Sequence, residues 1–335
     1  MDPRIKELYQ PEILQQIAKR HGIETTDLKI LDGFESFIYE FEKNNQSFIL
    51  RVGHSLHRGP DAVQGEAEFI DYLAQHGMKV GRPVRDEQGA LIEAIPAEEG
   101  IFSGVVFDKV PGGHPAREDW DNLELSRKLG RFLGKMHVLA KDFKPSQPRF
   151  QRLDWEQDVA DSLMLMKNGL PPEDAPVIAV FEAVAQQARR LPKGRDNYGL
   201  IHFDMHGGNF FLNDGEIYAF DFDDCQYSWF ANDIAMVFFY ASPVHFQNEE
   251  QIEVIRQRCK AFFEGYAKEN EINPQWLESI QAFLTLREIE LYALIQHDIP
   301  EEEYDDWCWN YLKGRREKIL NRTPYIPLDF STLLD

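Results

Sequence analysis

Ile201-His202-Phe203-Asp204-Met205-His206-Gly207-Gly208-Asn209 is followed by Phe220-Asp221-Phe222-Asp223, with Asn213-Asp214-Gly215 between them. Residues 198–202 read as a short strand that runs into a loop carrying Asp204, with Asn209 five residues beyond it. Residues 210–212 and 217–222 read as hairpin arms, because Asp-Gly at the tip supplies the positive φ that a tight turn requires. The hairpin brings back a second carboxylate, Asp221. Carboxylate and amide oxygens together suit a hard cation such as Mg²⁺, which keeps several waters and shares substrate phosphates. Asp204 is then left to take a proton from an attacking hydroxyl. Gly207 and Gly208 beside Asn209 let backbone approach closely.

Working outward, the first third of the chain carries strand signals at 28–31, 37–41 and 47–52, with turn signals at Gly33 and Asn44-Asn45. The period changes over 66–76, where Phe69, Ile70, Leu73 and Ala74 fall at helical spacing and Gly77 suits the C-terminal cap. Strand-like runs return at 90–95 and 102–110, and Pro111-Gly112-Gly113 breaks the pattern. Beyond it, Leu125, Leu129, Leu133 and Met136 mark one helix face. Val177, Phe181 and Val184 mark another, and Ile255, Cys259, Phe262 and Tyr266 a third. Residues 276–295 are apolar on several faces, as in a central buried helix. The expected architecture is α+β: a small β-rich N-terminal lobe over 1–108 and a larger helical C-terminal lobe over 109–335.

The spacing H-x-D-x-x-x-x-N, then an aspartate on the next hairpin, then Asp233-Ile234-Ala235, resembles the protein-kinase-like fold, and in detail the aminoglycoside phosphotransferase and choline kinase family. The resemblance spans roughly 28 to 300 and places four separated pieces in the right order. It implies a bilobal fold and a phosphotransferase that uses ATP and Mg²⁺. Asp204 would be the catalytic base, Asn209 and Asp221 the metal ligands, and Asp233 a brace for the catalytic loop. The other reading of Asp204 is a loop-capping aspartate. Asp223 is open between a second metal ligand and a solvated acid.

In the N-terminal lobe, Asp32-Gly33-Phe34-Glu35-Ser36-Phe37 resembles the family's phosphate-covering loop, with one glycine where some kinases have three. Arg51, in Phe48-Ile49-Leu50-Arg51-Val52, stands where the fold usually has lysine; arginine grips phosphate oxygens bidentately. Glu66 matches the helix glutamate that pairs with this cation, and Glu68 is the rival. Phe107-Asp108-Lys109 resembles the hinge against which adenine binds. The nucleotide side of the site is thus expected at Ser36, Arg51, Glu66, Phe107 and Lys109.

Composition narrows the partners. The 335 residues carry 36 Lys and Arg against 57 Asp and Glu, a formal charge of −21, which disfavours nucleic acid and anionic membranes. Cys225, Cys259 and Cys308 lie far apart, with no disulfide framework or metal clip, and the longest apolar run, 234–241, is too short to span a bilayer. A cytoplasmic monomer or homodimer is expected. No P-loop, dinucleotide-binding glycine motif, H-E-x-x-H or G-x-S-x-G occurs. The sequence therefore points to a kinase acting on a hydroxyl of a small, amine-bearing molecule of the aminoglycoside, choline or homoserine kind. A bacterial-type protein Ser/Thr kinase is disfavoured, because eleven residues separate Asp221 from Asp233 and no A-P-E occurs. A catalytically silent nucleotide-binding module would be expected to lose Asp204, Asn209 or Asp221, and all are present. Asp305, Asp306 and Trp307, in an acidic and aromatic run near the C-terminus, are candidates for the cationic acceptor's site. The same run also reads as a helix start, where acids complement the helix dipole.

Overall fold

Residues alternating in and out build the first part of the chain into a sheet. The computed structural model describes residues 1–33 and 35–334. Helices α1 (Pro3–Leu8) and α2 (Pro11–Arg20) precede β1 (Lys29–Leu31), β2 (Phe37–Lys43) and β3 (Gln46–His54). Then come α3 (Pro60–Gln75), β4 (Pro83–Val84), β5 (Glu93–Pro96) and β6 (Ile101–Asp108). The next elements are α4 (Arg117–Trp120), α5 (Leu123–Ala140), α6 (Trp155–Gly169), α7 (Ala175–Ala188) and β7 (Tyr198–Ile201). The hairpin β8 (Phe210–Asn213) and β9 (Glu216–Ala219) leads to β10 (Gln226–Trp229) and α8 (Phe230–Ala241). Last are α9 (Glu249–Tyr266), α10 (Pro274–Asp298), α11 (Asp306–Leu312) and α12 (Arg315–Leu320).

These elements form two compact units. The first holds residues 1–113 with 143–152 and 211–223, and the second holds 114–142, 153–210 and 224–335. The sequence suggested one cut after residue 108; the chain instead returns twice to the first unit. A side chain ties down the first return and backbone pairing the second. Arg152 donates to the carbonyls of Ala62 (3.0 Å) and Asp223, and Gly81 N–H donates to Ala219 O at 2.9 Å.

In the first unit the strands are antiparallel in the order β1-β2-β3-β6-β4, with β5 also on β6. Asn44 and Asn45 both take positive φ, which lets the β2–β3 turn follow the strand twist. Leu50, Val52, Phe102 and Val106 form the sheet's share of the core, and Ile5, Ile13 and Ile17 of α1 and α2 cover them. Gly104 is needed because the Ile17 side chain occupies the space of a Cβ there. Helix α3 begins at Pro60, six residues before the stretch 66–76 read from the sequence, with Pro60 at its first position, and Gly77 beyond its end takes φ +74°.

In the second unit α10 is the central helix. Leu277, Ile280, Phe283, Leu284, Ile289 and Ala293 are buried along it. Strands β7 and β10 pair antiparallel, Ile201 opposite Gln226 and Tyr198 opposite Trp229, so one end of the 202–209 loop is fixed to the start of α8. Among the described residues no helix is long and apolar enough to cross a membrane.

Candidate active site

The loop in the second unit is built around Asp233, in the first turn of α8 and fully buried. Its Oδ1 accepts from Phe203 N–H (2.8 Å) and its Oδ2 from His202 N–H (3.2 Å). Oδ2 also meets His137 Nε2 at 3.0 Å. Burial pushes the His137 pKa down, so the ring is neutral. Its Nδ1 accepts from Tyr266 OH (2.9 Å), which leaves Nε2–H to donate to Asp233. The brace holds a strained residue in place: Phe203 has φ +72°, which costs a bulky side chain roughly 1–3 kcal/mol. Catching the two amides around that bend sets the direction in which Asp204 leaves the strand.

Asp204 is held through both oxygens. Oδ2 accepts from Asn209 Nδ2 (3.0 Å) and lies 3.2 Å from His206 Nε2. Oδ1 accepts from Arg287 Nη2 (3.3 Å). His206 Nδ1 accepts from Gly208 N–H (2.9 Å), which places the ring proton on Nε2, facing the carboxylate. Burial alone would raise the Asp204 pKa. The His206 hydrogen bond and the Arg287 charge outweigh it and hold the carboxyl at about 2, so it is ionised at neutral pH. Asn209 Nδ2 also donates to Asp204 O (2.8 Å). With the nitrogen fixed on Asp204 twice, the amide's oxygen end is turned elsewhere and is the atom suited to a metal. A Cβ on Gly207 would press on the Trp120 ring, and one on Gly208 on the His206 ring. Sequence reasoning missed Arg287 and Tyr240 beside this loop; the available signal was a lone cation in the apolar stretch that became α10.

The first unit gathers the other charged residues. Arg51 Nη2 donates to Glu66 Oε2 at 2.6 Å, both side chains being buried, and the guanidinium lies over the Phe107 ring. Glu68 is engaged elsewhere, accepting from Ser146 N–H (2.7 Å) and Ser146 OH (2.6 Å), so it is not Arg51's partner. Arg51 Nη1 stands 3.9 Å from Asp221 Oδ1 and 3.8 Å from Asp223 Oδ1. Asp223 meets His57 Nε2 at 2.6 Å and Arg58 Nε at 3.8 Å. Against the effect of burial, His57 and Arg51 hold its carboxyl well below the usual range. Asp221 is different: its side chain is 55% exposed and its backbone takes φ +59°. An exposed carboxylate presented from a constrained bend suits a metal ligand; Asp223 is instead engaged by Arg51, His57 and Arg58.

Other candidate residues are placed as follows. Ser36 is buried at the start of β2 beside Gly53, while Phe34 of the same loop lies outside the described residues. Lys109 N–H donates to Ser47 O (3.1 Å) and its ammonium pairs with Glu40, so both groups serve the sheet. Asp305 is the N-cap of α11, accepting from Cys308 N–H at 2.8 Å, and Asp306 lies in that helix's first turn. Trp307 is 44% exposed and stacks on Tyr311. Asp305 and Asp306 thus stand at a helix start.

The model of the phosphotransferase enzyme family matches residues 27–272. An amicoumacin kinase of Bacillus subtilis (strain 168) is 36% identical over 339 residues, covering 98% of each chain. Among solved structures, an amicoumacin kinase in complex with AMP-PNP, Ca²⁺ and Ami is similar, with a TM-score of 0.91 at 32% identity over 99% of this chain and 100% of that one. A microcompartment-associated aminopropanol kinase shares the fold, with a TM-score of 0.75 at 20% identity over 97% of this chain and 100% of that one.

Proposed function

The chain belongs to the phosphotransferase enzyme family and is a small-molecule kinase of protein-kinase-like fold, and we propose that it moves the γ-phosphoryl group of ATP to a hydroxyl of an amine-bearing small molecule, with amicoumacin the first acceptor to test. The observation that carries this reading is Asp204, an ionised carboxylate fixed through both oxygens at the end of a strained loop. Such a group is a weak base. Its work is to orient the acceptor hydroxyl and to receive the proton late, as the new O–P bond forms and the bond to the β,γ-bridging oxygen breaks. By the family resemblance, Asn209 and Asp221 would each offer an oxygen ligand to Mg²⁺, whose charge would neutralise that of the phosphates. Arg51, fixed by Glu66, grips phosphate oxygens, and Asp233 keeps the loop in shape. The small-molecule acceptor is supported by the near full-length similarity to amicoumacin kinase. Cys225, Cys259 and Cys308 are buried and form no disulfide, which suits a cytoplasmic enzyme.

The test is a coupled ADP-release assay with ATP, Mg²⁺ and amicoumacin, with the product identified by mass spectrometry. The expected result is a monophosphorylated amicoumacin whose formation stops in excess chelator. Failure to phosphorylate amicoumacin or any member of a panel of amino alcohols would overturn the proposal.

A further inference from the structure

Arg287 reaches Asp204 from a helix 83 residues further along the chain. Its Nη2 donates to Asp204 Oδ1 (3.3 Å) and to Tyr240 OH (2.5 Å), and its Nε donates to Tyr240 OH (3.2 Å). Nη1 stands 4.0 Å from Glu290 Oε2. The guanidinium carbon lies 5.8 Å from the Phe203 ring centre and 5.6 Å from that of Tyr240. The side chain is 19% exposed, and a cation that enclosed is costly unless its donors are used.

The two oxygens of Asp204 are held from different directions. Oδ2 is bound by the loop's own residues, Asn209 and His206. Oδ1 has the contact from Arg287, and a carboxylate oxygen has room for a second donor. Rotation of a carboxylate about its last bond is soft and roughly two-fold. A contact on Oδ1 from outside the loop therefore decides whether that oxygen stays aimed or swings. Tyr240, on α8, anchors the guanidinium by two hydrogen bonds, so the aim is referred to the same helix that carries the Asp233 brace.

We propose that Arg287, anchored by Tyr240, is a positioning residue for phosphoryl transfer, holding Oδ1 of Asp204 in the orientation that receives the acceptor hydroxyl. The proposal rests on the reading of Asp204 as the group that meets that hydroxyl. Burial, together with the nearby Asp158, raises the Glu290 pKa and weakens it as a counter-charge, while Arg287 keeps its closer contact, 3.3 Å, to Asp204.

The test is steady-state kinetics of Arg287→Gln, Arg287→Lys and Tyr240→Phe with ATP, Mg²⁺ and amicoumacin, after thermal melts show folded protein. Arg287→Gln should lower kcat roughly 10–10²-fold, the loss expected from about an ångström of misplacement, with KM for ATP within about twofold. Tyr240→Phe should show the same split with a smaller loss, roughly three- to tenfold, and Arg287→Lys should recover part of kcat, because it keeps the charge and loses the fork. The decisive comparison is the double variant Asp204→Asn/Arg287→Gln. A residue acting through Asp204 adds no more than about threefold to the loss from Asp204→Asn alone. Losses that multiply, or an unchanged kcat in Arg287→Gln, overturn the proposal. If the parent protein transfers nothing to amicoumacin, the acceptor reading falls. The same variants are then read on ATP hydrolysis by water, where the same split and the same non-additivity are expected and their absence is equally fatal.

Discussion

Arg51, buried, and Arg287, half-buried, sit in different units, each a cation set against an aromatic ring and an aspartate, yet their counter-charges differ. Arg51 is hydrogen-bonded to Glu66 at 2.6 Å, with the pair enclosed by the sheet and α3. Arg287 has Glu290 at 4.0 Å, a carboxyl that burial pushes toward its neutral form. The first cation is neutralised before it turns to Asp221 and Asp223. The second keeps its charge for Asp204. On the proposed reading, the closed pair would serve as a rigid post for phosphates, and the half-open one would aim a neighbouring carboxylate.

The largest effects should come from the aspartates that the two cations serve. Asp204→Asn should lower kcat roughly 10²–10⁴-fold with ATP binding retained. Asp221→Ala should abolish metal-dependent turnover, measured as ADP release over a Mg²⁺ titration. Turnover within twofold of the parent for Asp204→Asn would break the comparison at its base. Next, Arg51→Ala should cost roughly 10²-fold in kcat/KM for ATP, and Arg51→Lys should keep part of it. Identical kinetics would mean that Arg51 is only a structural post.

Stability should separate the two glutamates. Glu66→Gln removes the carboxylate hydrogen-bonded to a buried guanidinium, leaving Asp221 and Asp223 at 3.9 and 3.8 Å, and should cost about 3 kcal/mol in urea unfolding. Glu290→Gln should cost below about 1 kcal/mol at pH 6, because the parent already holds this group largely as the acid. The sign with pH follows from the raised pKa. Between the ordinary 4.5 and about 8 the folded chain holds a proton that the unfolded chain has lost, so this group's contribution falls as pH rises through that window. Glu290→Gln should therefore flatten the decline of stability between pH 5 and 9, and an unchanged slope would refute it. The smallest effect is expected from Asp305→Asn with Asp306→Asn. Asparagine caps about as well as aspartate, so acceptor KM should stay within twofold and stability within a few tenths of a kcal/mol, about the difference between good caps. A tenfold rise in acceptor KM would instead return these acids to the acceptor site.

Legibility followed the range of the interactions. The helices α5, α7 and α9 were visible because a buried face repeats every 3.6 residues. The pair α1 and α2 was not read, although Pro11 followed by Ile13, Ile17 and Ala18 at helical spacing carried the signal for α2; their role as the sheet's cover appears only where Ile13 and Ile17 join Phe102 and Val106 in one core. Strand β10 was missed because Gln226–Trp229 acquires its strand character by pairing with Tyr198–Ile201. Glu66 and Glu68 were both candidates on the same helix, and burial assigned one to Arg51 and the other to Ser146.

The sequence by itself determined the order of Arg51, Glu66, Asp204, Asn209, Asp221 and Asp233, because the chemistry of one loop and one hairpin is written in spacings of a few residues. Tertiary structure alone decided that Arg287 and Tyr240 reach Asp204 and which of Glu66 and Glu68 meets Arg51. A charge in a helix has no address in the sequence: its partner is set by which helix face is buried and against what, and its strength by how much water that burial removes.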